Sequence, residues 1–160
     1  MTELKHLSTP WDVDRHIVLE AERLVLVRFS GFEFGPQDPK DPQHPNYLSC
    51  LRMDDVLSQI APRVCKFCVV YAVDTSSVTE FNGMYELGPD IGDPFAVMFF
   101  FRGRHIKVDV GTGNNYKINF VVDDEDLIEV VKEVFVEAKR GRNICLASRK
   151  FPHASIQRLA

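Results

Sequence analysis

The sequence lacks any apolar run near the roughly 20 residues that a membrane-spanning helix requires. Its first residues, Met1 to Pro10, are polar and mixed, without the basic-then-apolar layout of a secretion signal. We therefore expect an intracellular protein, cytosolic or nuclear. No internal period of repeat-array length is visible. No Ser-His-Asp or paired-carboxylate arrangement stands out by spacing. A net charge of -4 supplies no bulk attraction to nucleic acid or membrane, although a local patch could still do so. Cysteine is scarce: Cys50, Cys65, Cys68 and Cys145 are the four present. In a reducing compartment they are expected as thiols rather than bridges.

What remains is ordinary globular material. The chain has 160 residues, 45% of them hydrophobic and 26% charged, enough for one domain with a sizeable core. Leu24 to Phe29 and Phe67 to Asp74 are short apolar runs that read as strands. Between them, Met53, Val56, Leu57, Ile60, Ala61 and Val64 mark one face of a helix beginning near Cys50. Asp54 and Asp55 then fall in its first turn, and Pro62 should kink or end it. Ser77 to Leu87 suggests a shorter helix ending near Gly88. Phe95 to Arg102 is a third strand, Gly103 a turn, and His105 to Val110 a fourth, half-exposed strand. Asp123 to Arg140 is a final helix closed by Gly141. A less certain first helix opens at Thr9, Pro10 and Asp12 and runs to about Glu22.

The first two strands, joined by a helix, should be parallel, and the last two antiparallel. A mixed central sheet with helices on both faces follows: an α/β architecture with the layout of the thioredoxin fold.

Thioredoxin chemistry needs a Cys-x-x-Cys between the first long strand and the next helix, where the helix end lowers the nucleophile's pKa. Cys50 occupies the second position of that pair. The first is Tyr47, a phenol that can neither attack nor resolve a disulfide. The surviving Cys-x-x-Cys, Cys65 to Cys68, falls where a helix has ended and a strand begins. It reads as two small apolar residues at a strand entrance. A zinc site would need a second pair nearby, and none is apparent. Neither a catalytic site, a cofactor nor a metal is expected.

Three other segments carry weight. Asp109 to Asn115, rich in glycine and asparagine, reads as a tight turn after an edge strand, with phosphate binding as the weaker alternative. In the segment 35–46, Pro36, Pro39, Pro42 and Pro45 share the three-residue period of polyproline II and form a stiff spacer or a docking strip. Lys139, Arg140, Arg142, Arg149, Lys150 and Arg158 make the C-terminal part basic, with too few aromatics there for sequence-specific RNA reading.

Several strings are similar to the Dim/Dib family, the thioredoxin-like protein of the U5 snRNP and the U4/U6.U5 tri-snRNP. They are Met84 to Leu87, Val97 to Arg102, His105-Ile106, Gly111 to Asn115 and Lys117 to Asn119. Cys50 to Leu57 resembles the family's helix start, which also keeps only the second cysteine. Lys139 to Arg142 resembles its basic turn. The family usually has another non-cysteine residue where Tyr47 stands. The proline-rich insert, the Gly88 to Asp93 loop and the chain after Arg142 depart from its pattern.

The resemblance implies a nuclear, non-enzymatic pre-mRNA splicing factor. It would be monomeric outside the particle and would bind tri-snRNP proteins, including the large central scaffold protein, near the snRNAs. We expect a domain over residues 1–142, with insert 35–46, and a basic tail over 143–160. Asn114, Asn115, Lys117, Lys139, Arg140 and Arg142 are its candidate interaction surface. The alternatives are a thiol-disulfide oxidoreductase and a more peripheral thioredoxin-like splicing paralogue.

Overall fold

The computed structural model describes residues 4–32, 44–87 and 91–152. Alternating side chains on the interior strands explain the layering. In β2 (Leu24–Ser30), Leu24 and Leu26 enter one hydrophobic cluster while Val25, Val27 and Phe29 enter another on the opposite face. Strand β4 (Ala96–Phe101) divides in the same way, Val97, Phe99 and Phe101 against Ala96, Met98 and Phe100. Every residue of both strands is buried, as expected of strands covered on two sides.

Helices α2 (Pro45–Val64) and α4 (Asp124–Lys139) cover the first face. Helix α1 (Pro10–Leu19) and the one-turn α3 (Asn82–Tyr85) lie on the second. The remaining strands are β1 (Lys5–His6), β3 (Cys68–Asp74), β5 (Arg104–Asp109) and β6 (Ile144–Leu146). They complete a six-stranded sheet in the order β1-β3-β2-β4-β5-β6. Strands β2 and β3 are parallel, and β4 runs antiparallel to both β2 and β5. This is the mixed α/β sheet with helices on both faces that the patterning predicts.

Four differences from the sequence reading have clear causes. Helix α2 begins at Pro45, so Cys50 lies in its second turn rather than at its start. Pro45 is an N1 proline, whose missing N–H costs a helix nothing there; it belongs to the helix and not to a spacer. Asp54 and Asp55 accordingly lie in the third turn, away from the positive end. The helix expected over Ser77 to Leu87 shrinks to α3, because the Asp74 carboxylate accepts from Ser76 N (2.9 Å), Ser76 Oγ (2.6 Å) and Ser77 Oγ (3.0 Å) and holds a turn there. Strand β5 is not an edge.

The fourth difference concerns the expected tail. The chain after Arg142 forms β6, parallel to β5, with Lys107 opposite Ile144 and Asp109 opposite Leu146. Cys145 and Ala147 belong to the core. Domain structure thus continues past residue 142; a three-residue strand is too short to show in hydrophobic periodicity. Positions 35–43 of the insert, Gly88 and residues 153–160 lie outside the described residues.

Ending the chain at Arg142 should lower the urea unfolding midpoint, with a loss of about 2 kcal/mol or more from the emptied core positions. An unchanged midpoint would show that β6 is dispensable.

Candidate functional site

In α2, His44 is the N-cap, with its ring nitrogen accepting from Asn46 N at 3.1 Å. Tyr47 follows in the first turn, half-buried. Cys50 is 1% exposed, and its Sγ lies 4.0 Å from Asp54 Oδ2. The position nearest the helix N-terminus therefore carries a phenol, and the thiol behind it is covered. Such an arrangement has neither an exposed nucleophile nor a resolving partner.

The second pair is also poorly placed for exchange. Cys65 is exposed at the C-cap of α2, where the dipole is negative. Cys68 opens β3 inside the core, and burial pushes its thiol up to about 12. Burial, aided by Glu133 and Glu137, pushes Cys145 up to about 11. Among the described residues no disulfide forms, and no group of three or more His, Cys, Asp or Glu could hold a metal ion.

Beneath Cys50 lies an interaction that patterning does not reveal. Arg28 shares a strand face with Leu24 and Leu26 and has no exposure. It donates from Nε to Asp54 Oδ1 at 2.8 Å and from Nη2 to Asp54 Oδ2 at 2.9 Å. A third donation reaches Val73 O of β3 at 3.4 Å. The fork joins β2, β3 and α2 through one side chain. Burial raises the Asp54 carboxyl from its ordinary value, against the opposing pull of Arg28.

The candidate surface residues divide. Lys117 is not on the surface at all: it is 6% exposed, 3.0 Å from Asp93 Oδ2, and donates to Glu86 O at 2.6 Å. Asn119 Nδ2 donates to the other Asp93 oxygen at 3.0 Å. Lys117 thus locks the segment before β4 in place, because a buried ammonium needs such partners.

Asn114 and Asn115 shape the loop after β5. Asn114 Oδ1 accepts from Tyr116 N, and Asn115 O accepts from Val108 N at 2.8 Å. Gly111 and Gly113, at φ of 83° and 86°, supply the left-handed turns. Residues Val97 and Ile118 then bridge, so this segment lies between the diverging ends of β4 and β5.

Lys139, the last residue of α4, and Arg140 and Arg142 beyond it are exposed. Arg140 and Arg142 share Glu137 at 3.0 and 2.8 Å, and Lys139 stands over the Phe135 ring. Arg149 reaches Asp126 and Lys150 reaches Asp109. Arg140, Arg142, Arg149 and Lys150 thus each reach an acid of the same fold, Arg140 and Arg142 sharing one. The loop and the basic turn meet opposite flanks of β5: Asn115 bonds Val108, and Asn143 O accepts from Lys107 N.

One aromatic group escapes the sequence reading. Tyr85, Phe100, His105 and Tyr116 lie within 5.4 to 6.0 Å of one another as linked pairs. Burial lowers the His105 pKa from its ordinary value, partly offset by its contact with Tyr116 O.

Known proteins place this geometry. The family model described as "Mitosis protein DIM1" matches residues 3–151. The chain belongs to the DIM1 family. It is 39% identical to "Spliceosomal protein DIB1" of Eremothecium gossypii, over 96% of each chain. It is 36% identical to "Mitosis protein dim1" of Schizosaccharomyces pombe, over 92% of this chain and 93% of that one. Thioredoxin of Fasciola hepatica is similar in structure, with a TM-score of 0.55 at 14% identity, covering 81% of this chain and 97% of that chain. That likeness establishes the thioredoxin fold alone. The DIM1-family match extends through β6, which agrees with the core position of Cys145 and Ala147.

A charged residue inside an otherwise apolar strand is the signal that would have exposed Arg28 in advance, since it obliges a partner to exist. Asp54→Asn should cost about 3–5 kcal/mol in urea unfolding by stranding that charge, whereas Arg28→Met with Asp54→Leu should recover most of the loss. Equal destabilisation in both variants would contradict the pairing account.

Proposed function

We propose that this protein is a non-catalytic pre-mRNA splicing factor, a protein-binding component of the U4/U6.U5 tri-snRNP that works in the nucleus. The carrying observation is near full-length similarity, at 36–39%, to relatives named as spliceosomal or mitosis proteins of this family. The geometry supports it. Tyr47 holds the position of a nucleophile, Cys50 is covered, Cys65 caps the C-terminal end of α2, and Cys68 is buried in β3. What the fold retains is a rigid scaffold whose surfaces meet other proteins. Among those partners we place the large central scaffold protein and other U5 and tri-snRNP proteins. The loop of Asn114 and Asn115 and the turn of Lys139, Arg140 and Arg142 are two contact regions in this reading.

Affinity purification of the tagged full-length protein should recover U4, U5 and U6 snRNAs with tri-snRNP proteins. Recovery should be the same for Cys50→Ser. Absence of those snRNAs from the wild-type purification would contradict the proposal.

A further inference from the structure

Strand β6 ends the sheet, and its backbone shows which groups face outward. Lys107 N donates to Asn143 O, and Ala147 N donates to Asp109 O, each at 2.8 to 3.0 Å. With Lys107 opposite Ile144 and Asp109 opposite Leu146, this is the parallel ladder pattern. The backbone groups of Asn143, Cys145 and Ala147 are therefore turned to β5. Those of Ile144 and Leu146 are turned away from the sheet, and no strand pairs with them among the described residues.

Exposed edges usually carry a lysine, a proline or an inward-pointing charge to discourage pairing. This one reads Ile144-Cys145-Leu146-Ala147 and carries none. Its outward side chains continue the theme: Leu146 is 69% exposed and Ile144 40%, both on the face opposite Cys145, while Val136 of α4, on the Cys145 side of the edge, is 46% exposed. The groove between α4 and β6 holds about 460 Å³. Its acids are already engaged, Glu133 by Ser148 N and Oγ and Glu137 by Arg140 and Arg142. With Lys132 and Arg142 beside Glu133 and Glu137, the rim is close to neutral, which suits neither a nucleic acid nor a strongly charged peptide.

We propose that the β6 edge and this groove bind an extended segment of a partner protein, which joins the sheet as a seventh strand. The segment's backbone would pair with the N–H and C=O groups of Ile144 and Leu146, while its side chains on one face would cover Val136 and those on the other would cover Ile144 and Leu146. The open backbone groups select a polypeptide in extended form; a helix laid in the groove would leave them unmet. A second copy of this chain is the poorer occupant. A three-residue edge with three apolar side chains falls short of the roughly 1,000 Å² that a stable interface buries. This inference does not depend on the splicing assignment.

The test selects random linear heptapeptides displayed on phage against the immobilised full-length protein, then titrates the enriched peptides, made synthetically, into the labelled protein by NMR. Peptides with apolar residues at adjacent positions, one for each face of the edge, should be enriched. Their binding should slow amide exchange at Ile144 and Leu146, and Leu146→Asp should weaken it by about tenfold or more. Leu146 is largely exposed, so this variant should keep its urea midpoint. The proposal is overturned if no peptide is enriched or if the shifts centre away from β6. It also fails if the Ile144 and Leu146 amides exchange freely in the bound state. A protein that sediments as a dimer dissolved by Leu146→Asp would assign the edge to a second copy instead.

Discussion

Arg28 stands in an interior strand with no route to water, so its charge must be met from inside the fold. The Asp54 carboxylate meets it with two parallel hydrogen bonds, and Val73 O takes a third donation. The rest of the first sheet face is organised around this fork. It fixes the rotation of α2 about its axis, because Asp54 must face β2. Met53, Leu57, Ile60 and Val64 then face the core, and Cys50, one turn before Asp54, is drawn beneath the surface. The burial of the thiol is thus a consequence of how α2 is docked. A buried pair of this kind contributes little net stability relative to an apolar replacement, but breaking it from one side is costly. Its clearest effect here is to specify one register of helix on sheet.

Much of the fold was legible because the hydrophobic pattern is strong where it matters. The strands at Leu24, Cys68, Ala96 and Arg104 and the helix ending at Lys139 emerge from period and capping alone, each within a residue or two. The parts that escaped are those in which a side chain overrides local pattern. Asp74 converts a helical stretch into a turn. Pro45, sharing a period with other prolines, reads as polyproline although it starts α2. β1 and β6 are too short for any periodicity and exist only because a neighbour offers a ladder. The place of Tyr47 near the start of α2 was legible in the sequence. What surrounds it was not: Arg28, the burial of Lys117 and the stacking of His105 with Tyr116 all depend on contacts distant in sequence.

A common logic links these features. The sheet has the thioredoxin fold, and a tyrosine stands in the first turn of the helix that packs on it. The charged groups that remain inside, Arg28 and Lys117, serve to lock α2 and the segment before β4. Among the described residues, several charged groups outside pair with neighbours on the same chain, as Arg63 does with Glu125 and Arg142 with Glu137.

The most direct test of this account is splicing in an extract depleted of the endogenous protein and resupplied with the Cys50→Ala, Cys65→Ser variant. The account predicts that the folded variant restores splicing as well as the wild type does. Restoration by the wild type alone, with the variant folded and incorporated into the particle, would show that a thiol takes part and would contradict the account.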